Sequence, residues 1–194
     1  MPAGNPRGRK INHIFPFLLI ALIFAAIIWQ KYEQSRRQTT IPQIMKQAVE
    51  KSAVLFFVED GTHLGKESRK IGHCAETTDC LKDVLAELLN GAISDLDDAI
   101  PPGTIINSLK IEKETAFIDL SHHFKEELPE GSSAEMLAVY SIVNTACTNF
   151  PEIKKVKLDI EGNRNVVLGH LDLSLPLEPD YGLERKPVSG HGDN

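Results

Sequence analysis

Residues 100–124 read IPPGTIINSLKIEKETAFIDLSHHF, and this stretch decides the fold. Two short runs alternate between apolar and polar residues with period two, the signature of strands that bury one face. In the first run Ile105, Asn107, Leu109 and Ile111 share one face, while Ile106, Ser108 and Lys110 share the other. In the second, Ala116, Ile118 and Leu120 face one way and Phe117 and Asp119 the other. The two runs predict a β-hairpin. Pro101-Pro102-Gly103 ahead of it is a chain breaker that ends whatever precedes.

Outward from the hairpin, the N-terminal side opens with Ala53–Glu59, apolar on both faces as a central strand is. Asp60-Gly61 turns the chain, and Ser68 to Ile71 suits a short second strand. From Asp79 the period changes. Leu81, Val84, Leu85, Leu88 and Leu89 form one helical stripe, with Thr78 placed to cap it and Asn90-Gly91 to stop it. On the C-terminal side, Ser132 and Glu135 match a capping box. The helix they open places Met136, Tyr140, Val143 and Cys147 on a stripe and ends at Phe150-Pro151. Val156, Leu158 and Ile160 then alternate inward against Lys155, Lys157 and Asp159. Those charged outer positions, with Glu161, guard the strand against pairing with another copy. Gly162-Asn163 turns, and Leu171, Leu173 and Leu175 alternate again. The expected class is α+β: one small domain with a mixed or antiparallel sheet and two helices on one face, preceded by one transmembrane helix.

The chain has 194 residues and a net charge of −6, unevenly spread. Residues 1–52 carry eight Lys/Arg against two acids, and residues 53–194 carry thirteen against twenty-five. An acidic domain repels phosphate, so no nucleic-acid partner is expected. The basic part points to a membrane. Ile14–Trp29 is sixteen residues without a charge, flanked by Lys10 and Lys31, which can snorkel, and by Trp29 and Tyr32 at an interface. Ala25-Ala26 lack the alternating small residues of a signal-peptidase site, which favours an uncleaved anchor. The resulting domain plan is a basic cytoplasmic tail at 1–13, the anchor at 14–29 and a stalk at 30–52. A folded domain follows at 53–176, then a loose C-terminal tail at 177–194. The expected location is the cytoplasmic (inner) membrane, single-pass, N-terminus inside, with the domain on the extracytoplasmic or periplasmic side.

No nucleophile elbow, zinc-protease motif, phosphate loop or dinucleotide fingerprint is present. Three groups remain to weigh. Asp119, Ser121, His122 and His123 sit at a strand end, where Asp119 or Ser121 bonding local backbone is the plain reading. His170 and Asp172 share a strand face and suit a structural His–carboxylate pair. Cys74 and Cys80, in the loop GHCAETTDC, lack a fourth ligand for zinc beside His73. Outside the cytoplasm they are disulfide candidates, with Cys147 a buried free thiol. The cluster Asp95, Asp97 and Asp98 lacks the spacing of a calcium loop. No catalytic residue, cofactor or metal site is expected.

Residues 53 to about 181 resemble a GerMN domain, the family named for sporulation and spore-germination proteins. The resemblance rests on VLFFVED at the start, the helix LKDVLAELLNG, and Ile100-Pro101 with Gly103-Thr104. It continues through Phe117–Ser121, Thr145 with Phe150, Val156–Ile160 with Gly162, and Gly169–Ser174 with Pro176. The family-motif positions include Pro101, Gly103, Asp119, Ser121, Gly162, His170 and Asp172. Lys113-Glu114 replaces the family's usual Asp-Gly type of turn, and Leu175 stands where a basic residue is expected. The resemblance implies a small α/β module, similar to the ring-building modules of membrane-spanning assemblies, with no catalytic residues to carry over. It implies a non-enzymatic, membrane-anchored envelope module whose partners are the membrane and other envelope proteins or itself. The alternative is an extracytoplasmic ligand-sensing or metal-binding domain that uses the histidines.

Overall fold

The computed structural model describes residues 22–31 and 51–185. The chain divides into two compact units, residues 1–47 and 48–194. In the first, residues 22–31 form helix α1, whose side chains are exposed. Among the described residues no helix is long and apolar enough to cross a membrane. Residues 14–21 of the expected anchor and 32–50 of the expected stalk lie outside the described residues.

Among its described residues the second unit holds five strands and three further helices. Strands β1 (Lys51–Glu59) and β2 (His63–Ile71) pair antiparallel. Strands β3 (Ile106–Glu112), β4 (Thr115–Leu120) and β5 (Lys155–Ile160) form a second sheet in that order. Its β3–β4 pair is antiparallel and its β4–β5 pair parallel. Helices α2 (Thr77–Leu89) and α4 (Ser132–Asn149) pack on β1 and on each other; α2 also meets β3, and α4 meets β5. The four-residue α3 (His123–Glu126) follows β4. The domain is thus α+β as expected, with the strands split between two sheets and the helices touching both.

The split has a physical cause in α4. Asn149 accepts from the Val54 N–H at 2.8 Å and donates to its carbonyl at 2.7 Å. One turn earlier Thr145 Oγ1 accepts from Phe56 N–H at 3.1 Å, and Ser141 Oγ donates to the Phe56 carbonyl at 2.5 Å. These residues, at i, i+4 and i+8, occupy the edge of β1 where a third strand would lie. Asp97 extends that edge through two backbone bonds with Val58. Covering an edge in this way removes its unpaired groups from competition.

The main core gathers Leu55 and Phe57 of β1, Leu81, Val84, Leu85 and Leu88 of α2, Ile118 and Leu120 of β4, and Leu158 of β5. The α2 stripe is therefore the packed face expected. The other face of β1 carries Phe56 into a smaller cluster with Leu64 and Leu137, against which Val54, Val58, Tyr140 and Leu183 pack. Both faces of β1 are buried, as a strand apolar on both sides requires.

Several local expectations change. The α4 stripe widens to a helix buried nearly all round, including Ser141, Asn144 and Thr145, while Met136 and Tyr140 remain half-buried. The residue before α2 is Glu76 and the one before α4 is Gly131, and neither helix start has a side-chain cap. Thr78 lies inside α2 and cannot cap it, and the Ser132–Glu135 box does not form because Glu135 is drawn to another loop. A bulge between Ile106 and Ser108 leaves Asn107 without an opposite residue and exchanges the faces there. Ile106 thereby joins Leu109 and Ile111 against the core, and Ile105 is left 59% exposed. Lys157 and Asp159 are buried, and the Lys157 ammonium bonds Asp159 at 2.6 Å and the carbonyls of Leu158 and Arg164. Finally, residues 177–185 are part of the folded unit. Leu177 exchanges two backbone bonds with Val156, Tyr181–Leu183 forms a 3-10 turn, and Arg185 pairs with Glu59 and Asp60.

Candidate functional site

The motif positions divide among three small constructions, and a fourth lies apart from them; each ties one stretch of backbone to another. At the first, Pro101-Pro102-Gly103-Thr104 forms a tight turn closed by Thr104 N–H on the Pro101 carbonyl at 3.3 Å. Proline at the second position and Gly103 at φ 82 are the type II pattern, which only glycine adopts without strain. Ser121 then takes the chain leaving this turn: its Oγ accepts from Ile105 N–H at 3.0 Å, and its N–H donates to the Ile105 carbonyl.

At the second, Glu161 and Gly162 make a two-residue turn with both φ values positive, closed by reciprocal Ile160–Asn163 bonds. Asp119 reaches this turn from β4 and accepts from Gly162 N–H at 2.8 Å. Glu161 reaches back and accepts from His122 N–H at 2.9 Å. The hydrogen bonds from His122 hold the Glu161 carboxyl below its ordinary range. The rings of His122 and His123 stack with centroids 4.1 Å apart. His123 Nδ1 is buried and has no hydrogen-bond partner.

At the third, Glu135 of α4, 4% exposed, holds the loop that follows β5. It accepts from His170 N–H at 2.7 Å, His170 Nδ1 at 3.0 Å and Leu171 N–H at 3.1 Å. Burial pushes the Glu135 carboxyl up, but the bonds from His170 and Leu171 outweigh it and leave it below the ordinary range. A Cβ on Gly169 would stand 2.6 Å from Glu135 Oε1, so any larger residue there must displace the Glu135 carboxylate. The carboxylate partner of His170 is thus Glu135, distant in sequence, and not Asp172. Asp172 instead accepts from Ser174 N–H at 2.8 Å within its own turn.

The fourth escaped sequence reading. Glu67 and Arg69, two apart on one face of β2, are each 8% exposed. Arg69 donates to Glu67 and to the carbonyls of Glu87 and Gly91, while Glu67 accepts from Ser94 Oγ and from Ile93 and Ser94 N–H. Burial pushes the Glu67 carboxyl up, yet the bonds from Ser94, Arg69 and Ile93 win and lower it from 4.5 to about 2. The spacing E-x-R on a strand was the available signal, but it does not distinguish a buried pair from a solvated one.

Cys74 and Cys80 are joined in a disulfide with Cα atoms 5.2 Å apart, and Cys147 is a buried free thiol. Among the described residues no group of three His, Cys, Asp or Glu could hold a metal ion. Asp98 accepts from Ala92 N–H and Asp97 pairs with Val58, so the acidic loop is part of the backbone bonding. An open groove of about 570 Å³ lies between residues 98–102 and 127–134, with Ile100, Leu128 and Leu137 among its lining and Glu127 and Glu130 alongside.

The profile of the Germane family, described as sporulation and spore germination, matches residues 54–166. The fold is similar to the tandem GerMN domains of the sporulation protein GerM from Bacillus subtilis. That match has 22% identity and a TM-score of 0.51, and covers 66% of this chain and 46% of that one. It is similar to the first GerMN domain of GerM from Bacillus subtilis at the same identity and TM-score, covering 66% of this chain and 97% of that one. The match therefore spans about half of the tandem structure and nearly all of the single domain. No curated protein matches the chain by sequence.

Proposed function

The chain belongs to the Germane family of sporulation and spore germination, and from that premise we propose that it is a non-enzymatic module of the cell envelope. It is held by residues 14–29 in the cytoplasmic membrane, N-terminus inside, and presents residues 51–185 on the extracytoplasmic side to other envelope proteins or to itself. The observation that carries this reading is where the polar motif side chains are spent. Asp119, Ser121 and Glu135, the last at His170, each bond backbone of a neighbouring segment, and Asp172 bonds the Ser174 N–H within its own turn. Side chains committed in this way stiffen a scaffold and leave a reacting group nothing to meet. The Cys74–Cys80 disulfide supports the outside location, because such bonds persist in oxidising compartments. The acidic domain argues against a nucleic-acid partner.

The test is labelling of intact cells. A cysteine placed at exposed Glu130 of the full-length chain should react with a membrane-impermeant maleimide before lysis. Protection until the membrane is breached would place the domain inside and overturn the reading. One observation favours the alternative of metal binding, the unpartnered His123 Nδ1 beside His122. Stoichiometric zinc or copper in the purified full-length chain, lost in His122→Ala/His123→Ala, would establish that alternative.

A further inference from the structure

We propose that β3 is a docking edge for a second copy of this chain, paired antiparallel about a two-fold axis that passes between the two Ile111 residues. Glu161 N–H bonds the Leu120 carbonyl, so Leu120 turns its backbone groups toward β5. By alternation along β4, Ala116 and Ile118 do the same, and they stand opposite Ile111 and Leu109. Leu109 and Ile111 therefore direct their N–H and C=O groups away from β4, to the open edge. Among the described residues those groups have no hydrogen-bond partner.

The other edges are treated differently. That of β1 is taken by Ser141, Thr145, Asn149 and Asp97. The outer side of β5 bonds Leu177 and Asn163. On β2, Glu184 bridges to Leu64, and the exposed positions carry Lys66 and Lys70, a common guard against edge pairing. β3 instead carries one charge of each sign, Lys110 and Glu112, which pair at 2.6 Å and are half exposed.

That pattern chooses a register. Antiparallel pairing that matches the outward groups can centre on Leu109, Lys110 or Ile111. Centred on Leu109, it sets Lys110 opposite Ser108 and Glu112 opposite Ile106. Centred on Lys110, it sets lysine against lysine, which is unfavourable. Centred on Ile111, it sets each Lys110 opposite Glu112 of the second copy, so the two internal ion pairs join in one ring of alternating charge. Ile111 and Leu109, half-buried in one copy, gain cover from the other. The two three-stranded sheets become one of six strands. The pairing names the partner of the envelope module and rests on that reading only in that copies anchored in one membrane meet at high effective concentration.

The experiment uses the full-length chain in its native membrane. Ile111→Cys should give a covalent dimer with a short membrane-permeant bis-maleimide, whereas Ser68→Cys on β2 should not. Lys110→Glu or Glu112→Lys, added to Ile111→Cys, should each lower the dimer yield about tenfold, because two attractive pairs become repulsive. Lys110→Glu/Glu112→Lys together should restore it, which separates pairing from misfolding. Sedimentation of the solubilised chain carrying the charge variants alone repeats the comparison without touching Ile111. A dimer through position 68, a yield indifferent to the charge variants, or an adduct of position 111 with a different protein would each overturn the proposal. An impermeant maleimide on the same cells reports the side. Labelling of position 111 without dimer sinks the pairing and leaves the envelope reading standing. Dimer with protection from the impermeant reagent does the reverse.

Discussion

Asn149 stands to Val54 as a residue of a neighbouring strand would: its carboxamide accepts from the Val54 N–H at 2.8 Å and donates to the Val54 carbonyl at 2.7 Å. Both bonds come from one planar group held by the last turn of α4, where Asn149 Nδ2 also donates to the Thr145 carbonyl.

Asn149→Ala removes both partners and leaves a half-buried N–H and C=O of β1 unmet. The expected loss is about 1–3 kcal/mol of stability, read as a lower denaturation midpoint. Asn149→Asp should be no better, since it keeps the acceptor but turns a carboxylate oxygen toward the Val54 carbonyl. An unchanged midpoint in both variants would show that water replaces the side chain without cost.

Acid should unfold the domain partly through Glu67. Its folded carboxyl is lowered from 4.5 to about 2 by Ser94, Arg69 and Ile93 working against burial. Between those values the unfolded chain binds more protons than the folded one, so stability rises with pH across the window. The contribution is complete above pH 4.5 and is lost as pH falls toward 2. Thermal melting at a series of pH values should show this slope, and Glu67→Gln should flatten it while lowering stability at neutral pH.

Thiol counting tests the cysteines. Burial pushes the Cys147 thiol up to about 11, opposed only by Lys154. The folded protein at pH 8 should therefore show no fast-reacting thiol, the denatured protein one, and the denatured and reduced protein three. Reduction of Cys74–Cys80 should cost roughly 2 kcal/mol by loop entropy, a small change for so short a loop. Three thiols in denatured protein alkylated before lysis would exclude the disulfide.

Gly169→Ala should release the loop after β5. The added methyl would meet Glu135 Oε1, which is itself held by His170 and Leu171. Displacing a buried carboxylate from three donors is expected to cost about 1–3 kcal/mol. Nitrogen NMR of His170 provides the local readout, since Nδ1 should lose its carboxylate partner. A His170 spectrum unchanged by the substitution would mean the loop yields without opening the contact.

Much of this was legible along the chain. Leu81, Val84, Leu85 and Leu88 repeat with the helical period, and they are the buried face of α2. Ala116, Ile118 and Leu120 alternate, and all three are buried. Pro102-Gly103 could only turn, and it does so in the type II pattern that Gly103 permits. In each case a handful of adjacent residues carries the whole signal, because backbone sterics and solvent exposure act locally. Family membership was legible for the same reason, as the order of many such pieces.

What only the tertiary structure decided are contacts between polar groups far apart. Glu135 meets His170 across 35 positions and Asn149 meets Val54 across 95. A hydrogen bond of this kind needs one donor and one acceptor in the right place and leaves no period in the sequence. Ser132 and Glu135 had the spacing of a helix cap, but the unmet N–H groups at His170 and Leu171 offered a buried carboxylate three donors, more than the cap supplied. The bulge at Asn107 was equally invisible, since it exists only through the pairing of β3 with β4. Period and turn chemistry chose the elements of this protein; the need to satisfy buried backbone and carboxylate groups chose how they join.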